Sequence, residues 1–275
     1  MLKHIRNLIL DMDGVLWRGE TPMPGLSAFF ETLDKLGINF VLATNNASKN
    51  ATQYVSKLNG FSLDIPERQI LNSADATADF LRDQFGSENG QAIYAVGDEG
   101  LRQSLTNRGF TLLTPEAVYK GATAPVVVVG FTRYATYPDL AMAALLVHKG
   151  ATFVGTNPDV AFPSEVGPLP GAGALQAVIT AATGRPPDYM VGKPGPIIFR
   201  EALRRLNGTA ENTAMVGDRL ETDILGAKNA GLPAILLLSG ITQPGDWEQA
   251  GKPQPDFVFE DITALARQLI IASGQ

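Results

Sequence analysis

Two carboxylates one residue apart, Asp11 and Asp13, follow directly on the apolar run Asn7 to Leu10. At the end of a strand, such a pair can face one cation and one substrate together. The alternative is a plain Asp-Gly turn, because Gly14 comes next. A calcium loop of the EF-hand type is excluded, since its twelfth residue must be acidic and the twelfth residue counted from Asp11 is Pro22.

A second acidic cluster follows another apolar run. Gly217 and Asp218 come directly after Ala214 to Val216, and Asp223 lies five residues beyond Asp218. Asp218 has an alternative role as the cap of the helix that follows it. If the two acidic clusters meet at one sheet edge, their carboxylates repel one another unless a divalent cation compensates them, and oxygen ligands favour Mg²⁺.

Lysine, threonine and asparagine side chains supply candidate partners for a phosphate. Lys193 is not a P-loop lysine, because Pro187 stands where the first glycine of that motif is required. It is either a solvated loop residue or a cation that neutralises Asp11 and a phosphate together. Thr44 and Asn45 are either helix-capping residues or donors to phosphate oxygens.

Short apolar runs that alternate with helical patterns predict the elements that position these residues. Strand, helix and strand in this order indicate a parallel sheet, whose ligands collect at the carboxyl ends of the strands. If both ends of the chain build one sheet, the polar clusters meet at that edge. The predicted strands are Asn7 to Leu10, Asn39 to Ala43, Tyr189 to Val191, Ala214 to Val216 and Ala234 to Leu238.

The middle of the chain predicts a separate α/β domain. Its elements are a helix from about Ala76, then strand Ala92 to Val96, helix Glu99 to Arg108, strand Val126 to Val129, helix Leu140 to Lys149 and strand Thr152 to Val154. We therefore predict an α/β protein with a Rossmann-like parallel-sheet core formed by residues 1–78 and 188–275. Residues 79–187 form the inserted α/β domain.

Composition limits the function further. The 275 residues are 45% hydrophobic and 18% charged, with a net charge of −6 and no basic run, which predicts a folded protein that binds neither nucleic acid nor a membrane surface. No segment has the roughly 18 apolar residues of a spanning helix, and we expect a cytoplasmic location. With no cysteine and only two histidines, His4 and His148, carboxylates and hydroxyls are left to carry covalent chemistry.

The motifs in this order resemble those of the haloacid dehalogenase-like phosphatases, and the likeness spans nearly the whole chain. The insertion between the second and third motifs resembles the large α/β cap of the type IIA branch, which includes p-nitrophenyl, nucleotide and sugar phosphatases. The motifs are Asp11-Met12-Asp13-Gly14-Val15, Thr44-Asn45, Lys193-Pro194, and Gly217-Asp218 with Asp223.

The resemblance implies a role for each motif residue in phosphoryl transfer. Asp11 is the nucleophile that forms an aspartyl-phosphate, and Asp13 is the acid/base that protonates the leaving oxygen and later activates water. Thr44, Asn45 and Lys193 hold the phosphate. This division is physically reasonable, because phosphoryl transfer needs mainly positioning and charge stabilisation.

The resemblance also implies a metal site. Mg²⁺ is expected on the carboxylates of Asp11 and Asp218 and on the backbone carbonyl of Asp13. Asp223 is expected to support these ligands without binding the metal itself.

The function expected from this resemblance is hydrolysis of small phosphorylated metabolites. A phosphoryl-transfer mutase and a phospho-ligand-binding protein without turnover stay open as alternatives. Residues Asp159 to Pro163, after Thr156-Asn157-Pro158, are the candidate loop for the leaving group, although a plain turn explains them equally well. The resemblance leaves a homodimer open.

Overall fold

A computed structural model describes residues 2–47, 49–86, 90–164 and 167–274. The chain divides into two compact units. The first unit consists of Met1–Thr44, Ala51–Leu71 and Lys193–Gln275, and the second of Asn45–Asn50 and Asn72–Gly192. Among the described helices, none is long and apolar enough to cross a membrane.

The strands of the described residues are short. In chain order they are β1 Asn7–Leu10, β2 Trp17–Arg18, β3 Thr21–Pro22, β4 Asn39–Thr44, β5 Ile70–Asn72, β6 Ala92–Val96, β7 Thr111–Leu112, β8 Val126–Val129, β9 Thr152–Gly155, β10 Ala161–Ser164, β11 Gly167–Pro170, β12 Tyr189–Met190, β13 Thr213–Gly217, β14 Ala234–Leu237 and β15 Phe257–Phe259.

The α-helices of the described residues alternate with these strands. In chain order they are α1 Leu26–Lys35, α2 Ala51–Gly60, α3 Ser73–Phe85, α4 Glu99–Asn107, α5 Pro115–Tyr119, α6 Tyr137–His148, α7 Ala172–Thr183, α8 Pro196–Leu206, α9 Leu225–Asn229 and α10 Ile262–Ser273. This alternation confirms the predicted α/β fold class, a Rossmann-like core with an inserted α/β domain.

The first unit is built on a sheet with the strand order β15-β14-β13-β1-β4-β5. Strand β1 pairs in parallel with β13 on one side and with β4 on the other, so that Leu10 lies opposite both Val216 and Leu42. All four residues of β1 are buried, as expected for a central strand covered on both faces. The carboxyl ends of β1, β4 and β13 therefore lie side by side.

Helix α1 shows how the sequence covers this sheet. Its buried residues, Leu26, Phe29, Phe30 and Leu33, recur at spacings of three and four, which places them on one face of the helix. They belong to the same apolar core as Leu10 of the central strand. The helix thereby fixes the sheet that carries the polar strand ends.

The second unit has its own parallel sheet, in the order β12-β9-β8-β6-β7. Helix α6 begins at Tyr137, earlier than the predicted Leu140, because Thr136 and Asp139 form a capping box in which each side chain bonds to the other residue's backbone N–H. Part of the predicted leaving-group loop lies in the antiparallel β10–β11 hairpin.

One predicted strand was assigned to the wrong sheet. Residues Tyr189–Met190 pair with β9 of the second unit, whereas the sequence prediction placed them in the sheet of the first unit. Two residues at a sheet edge, with Tyr189 40% exposed, lack the pattern that would identify their partner strand. The chain re-enters the first unit only at Lys193, and the units also change at residues 71/72. The finer boundaries at 78/79 and 187/188 stay predictions.

Candidate active site

Three carboxylates meet at the carboxyl edge of the first sheet, and we call Asp11, Asp218 and Asp223 the carboxylate cluster. One oxygen from each lies within 4.8 Å of the others, and all three residues are buried. Asp11 follows β1 and its backbone N–H donates to Val216 O at 2.9 Å, which continues the pairing with β13. The adjacent strand ends thus bring together residues that are about 200 positions apart in the sequence.

Lys193 lies against this cluster, with its side chain 3% exposed. Its ammonium pairs with Asp11 Oδ1, lies 2.7 Å from Asp223 Oδ1 and donates to Ala43 O at 3.1 Å. The alternative of a solvated loop residue is therefore wrong. Among the described residues, this lysine contacts two of the three carboxylates of the cluster, so the buried site has more acidic groups than the lysine can pair with.

Burial and the neighbouring acidic groups change the pKa values of the site. Burial raises the pKa of Asp11 well above its usual range, and the charge of Lys193 opposes that rise. Burial, followed by the charge of Asp223, raises the pKa of Asp218 to about 6. Burial alone would lower the pKa of Lys193, but the charges of Asp11 and Asp223 outweigh it and raise that pKa above its usual range.

Asp218 is held by a loop that follows β14. Its Oδ2 accepts the backbone N–H of Ile241 at 2.8 Å, and its backbone carbonyl accepts from Thr242 N at 3.1 Å. A side chain at Gly14 would collide with Asp218, since its Cβ would lie 2.5 Å from Oδ2, and a Cβ at Gly240 would be closer still to the same oxygen. The helical turn after β13 is preceded by Arg219, so Asp218 is not its cap residue.

Asp223 organises the turn that carries the cluster. Its Oδ2 accepts the backbone N–H groups of Asp218 and Arg219 at 3.2 and 3.1 Å. The residue is fully buried on the π-helical turn Leu220–Ile224, so its carboxylate is both a local structural element and part of the acidic site.

The chemistry of the carboxylate cluster fits a hard divalent cation. Asp218 Oδ1 is buried and has no hydrogen-bond partner in the described part of the chain, and an acceptor in that state is costly unless a ligand satisfies it. Carboxylate oxygens are the ligands that Mg²⁺ and Ca²⁺ take. The cluster contains Asp223, whereas the predicted ligand set contains the backbone carbonyl of Asp13 instead.

Asp13 has a different environment from the cluster. It is exposed, and its Oδ1 accepts a hydrogen bond from Trp17 Nε1 at 2.7 Å. The side chain is therefore free of the buried ion pairs that hold Asp11.

Thr44 and Asn45 fall in different units. Thr44 ends β4, is buried, and hydrogen-bonds to Tyr54, whose pKa is raised chiefly by burial. Asn45 belongs to the second unit, where its backbone carbonyl accepts from Ser73 Oγ at 2.7 Å and its amide donates to Asp159 Oδ2 at 3.4 Å. Helix α2 begins only at Ala51, so neither residue caps it.

Sequence reasoning missed the residues that position the acids. The loop Ser239 to Thr242 holds Asp218, and its only signal is a Ser-Gly pair after an apolar strand. Trp17 also went unnoticed, because a single aromatic residue has no period that reveals its hydrogen-bond partner.

Comparisons with known proteins find family profiles that match both the N-terminal and the C-terminal part of the chain. The family profile described as haloacid dehalogenase-like hydrolase matches residues 8–111, and a second, HAD-hydrolase-like profile matches residues 190–265. An acid sugar phosphatase of Staphylococcus aureus is 35% identical over 268 residues, which is 98% of this chain and 99% of that protein.

Solved structures show the same likeness. A 4-nitrophenylphosphatase from Thermotoga maritima is 38% identical with a TM-score of 0.88, over 97% of this chain and 98% of that one. NagD from E. coli K-12 is 36% identical with a TM-score of 0.84, over 94% and 97% of the two chains.

Proposed function

Because the chain belongs to the haloacid dehalogenase-like hydrolases and is a phosphatase, we propose that it hydrolyses small phosphate monoesters with Mg²⁺ through an aspartyl-phosphate on Asp11. The observation that carries the proposal is the buried carboxylate cluster against Lys193. A buried acidic site in which one carboxylate oxygen, that of Asp218, has no partner among the described residues favours a bound cation and an anionic substrate over a purely structural role.

The first half of the reaction transfers the phosphoryl group to the protein. A carboxylate oxygen of Asp11 attacks phosphorus, the bond from phosphorus to the ester oxygen breaks, and Asp13 gives its proton to that leaving oxygen. The ammonium of Lys193 balances the negative charge of Asp11 and of the phosphate oxygens. Thr44 and Asn45 donate to the phosphate.

The second half regenerates the enzyme. Asp13, now ionised, takes a proton from water as the water oxygen attacks phosphorus, and the bond between phosphorus and Asp11 breaks to release phosphate. Mg²⁺ held by Asp11, Asp218 and the backbone carbonyl of Asp13, with Asp223 in support, would neutralise charge that develops on the phosphate.

Substrate choice is assigned to the inserted domain. The S. aureus relative is named for sugar phosphates and the T. maritima structure for 4-nitrophenyl phosphate, so both classes are the first to test. We propose that residues 1–78 and 188–275 perform the chemistry and that 79–187 select the substrate. A cytoplasmic location and a homodimer stay predictions.

The test is release of inorganic phosphate from p-nitrophenyl phosphate with Mg²⁺, repeated with excess chelator. We expect turnover with the metal and none with chelator. Phosphate that appears on an added alcohol instead of in solution would identify a mutase or transferase. Tight binding of phosphate esters without any turnover would identify a binding protein.

The values of kcat/KM would then rank the substrates, measured for sugar phosphates, nucleotides, phosphoglycolate and pyridoxal phosphate.

A further inference from the structure

The hydrogen bond between Trp17 and Asp13 points to a residue of the reaction that the motifs do not contain. We propose that Trp17 is a positioning residue, which holds the Asp13 carboxyl so that its Oδ2 is the oxygen that exchanges a proton with the leaving group. The inference rests on the proposed function, in which Asp13 is the acid/base. The contact itself is direct, with Trp17 Nε1 at 2.7 Å from Asp13 Oδ1.

Asp13 needs an external restraint because its surroundings differ from those of the other acids. Asp11, Asp218 and Asp223 are buried, whereas Asp13 is exposed at a strand end. An exposed carboxyl samples several rotamers, and a displacement of about 1 Å from the productive geometry can cost about 10²-fold in rate. A fixed donor on Asp13 removes that freedom.

The direction of the hydrogen bond distinguishes the two oxygens of Asp13. The indole N–H is a donor only, so Oδ1 must accept whether or not the carboxyl carries a proton. A proton on Oδ1 would compete with the indole for the same region of the oxygen. The proton of the acid form is thereby directed to Oδ2.

The indole is rigid enough to act in this way. Trp17 is fully buried and stacks on Tyr54 with ring centroids 6.5 Å apart, while the Phe61 ring lies 5.9 Å away. Lys57 Nζ lies 4.7 Å from the indole centroid, in a cation–π contact. The ring thus has neighbours that oppose its rotation.

The backbone around the indole is also anchored. Gly14 N donates to Trp17 O at 2.8 Å, which closes the loop between Asp13 and Trp17. Two hydrogen bonds hold the β2–β3 hairpin. Arg18 Nε of the hairpin donates to Ser239 O at 2.9 Å, and Gly19 O of the hairpin accepts from Lys57 Nζ of α2 at 2.6 Å. The indole of Trp17 is therefore held in place, and its N–H donates to Asp13 from a fixed position.

A positioning role predicts an effect that depends on the leaving group. A poor leaving group, such as a sugar hydroxyl, needs the proton of Asp13 while the ester bond breaks, whereas p-nitrophenolate needs little help. Loss of the indole donor should therefore lower kcat/KM for sugar phosphates and for phenyl phosphate much more than for p-nitrophenyl phosphate.

The test is site-specific replacement of Trp17 by benzothienylalanine, which has nearly the same shape but a sulfur in place of the N–H. The same replacement at Trp247, on the short helical turn Asp246–Glu248, is the matched control. We expect kcat/KM for phenyl phosphate to fall by about tenfold or more, with a change of less than about twofold on p-nitrophenyl phosphate. The Trp247 replacement should change neither.

The outcomes separate this inference from the proposed function. A loss that is equal for all leaving groups, or no loss at all, would overturn the role of Trp17 while an active parent protein keeps the phosphatase assignment. Absence of turnover in the parent protein would instead contradict the proposed function. Trp17→Phe, with its unfolding temperature measured beside its kinetics, repeats the experiment without the special amino acid, and its loss should follow the same order of leaving groups.

Discussion

Both units contain buried charged groups, but they balance them differently. In the second unit, Arg108 donates to both oxygens of Asp79 at 3.1 Å and to Asp75 at 2.8 Å, and Ser104 Oγ donates to the same oxygen of Asp75 at 2.9 Å. These acids are thus bound by a forked cation and a hydroxyl. In the first unit, the described residues place one lysine, Lys193, against the carboxylate cluster.

The difference separates structural charges from chemical ones. A network such as that of Arg108 rigidifies its unit, because its carboxylate oxygens already accept hydrogen bonds from protein groups and do not need a ligand. The carboxylate cluster has more acids than its cation can neutralise, and one buried oxygen of Asp218 has no partner among the described residues. Such an imbalance is costly unless a ligand compensates it, and it is the reason that we propose a ligand site there.

The largest expected effect tests the nucleophile. Asp11→Asn should lower kcat by about 10⁴-fold or more while the fold is kept, because the amide has nearly the same volume but cannot form the covalent intermediate. Asp34→Asn, an equal change of charge at an exposed residue of α1, should leave kcat unchanged. Phosphate release and circular dichroism measure the two properties. Activity of Asp11→Asn within about tenfold of the parent protein would contradict the covalent mechanism.

The next effect tests the metal. Asp218→Asn should raise the Mg²⁺ concentration for half-maximal activity by about 10² or abolish activity, because the neutral amide is a weaker ligand for a hard cation. The unfolding temperature should rise with Mg²⁺ in the parent protein and rise much less in the variant. An unchanged metal dependence in Asp218→Asn would remove this residue from the metal site.

The same residue predicts a dependence on pH. Without metal, the pKa of Asp218 is raised to about 6, so protons occupy it increasingly as the pH falls through that value. Because a proton and a cation compete for the carboxylate, the Mg²⁺ requirement should be higher at about pH 5 than at about pH 8. Activation curves at both pH values measure it, and a lower requirement in acid would contradict the competition.

A smaller effect separates Asp223 from Asp218. Asp223→Ala should lower the free energy of unfolding by about 3 kcal/mol, because two backbone N–H groups lose their acceptor and Lys193 loses one of its two carboxylates. Asp223→Asn retains an acceptor oxygen and should lose less stability. Urea unfolding of both variants measures the difference, and equal losses would show that the hydrogen bonds are not the cause.

Removal of the partly buried cation in the second unit, Arg108, should affect stability and leave activity unchanged. Arg108→Met should lower the free energy of unfolding by about 2 kcal/mol, since Asp75 and Asp79 lose the guanidinium that they share. The 18% exposure of the arginine side chain and the remaining ion pair of Asp79 with Arg82 limit the loss. We expect kcat on p-nitrophenyl phosphate to stay within about twofold of the parent protein. A loss of kcat as large as that of Asp218→Asn would abolish the distinction between the two kinds of charge.

The sequence predicts the strand ends better than the contacts made there. Acidic residues directly after apolar runs are visible in the sequence, and parallel strands must bring Asp11 and Asp218 to one edge. The pairing of Tyr189–Met190 with β9 was not predictable, because a two-residue strand has no pattern that selects its sheet.

Contacts made by single side chains are also invisible to periodicity. The hydrogen bond from Trp17 to Asp13 and the fit of Gly240 against Asp218 depend on tertiary positions that local patterns do not encode. Lys193 shows the same limit, since only the fold reveals that a lysine before proline is buried against two acids.

The smallest expected effect concerns the second unit's part in substrate choice. Phe162 lies on β10, where its ring stacks on Phe131 with centroids 4.4 Å apart and Arg133 lies 5.2 Å from its centroid. Phe162 is a better residue to replace than Asp159, because Asp159 also accepts a hydrogen bond from Asn45. Replacing Asp159 would therefore also disturb Asn45. An aromatic surface beside a guanidinium can bind the body of a leaving group.

Phe162→Ala should therefore change the order of substrates by kcat/KM, by about threefold to tenfold for the affected esters, while p-nitrophenyl phosphate changes little. Tyr119→Ala, which removes an aromatic ring that is 82% exposed on α5 of the same unit, is the matched control and should leave the order unchanged. A uniform loss across all esters would mean that the ring supports folding or catalysis. An unchanged order would place the selective surface elsewhere in the second unit, because the chemistry assigned to the first unit is the same for every ester.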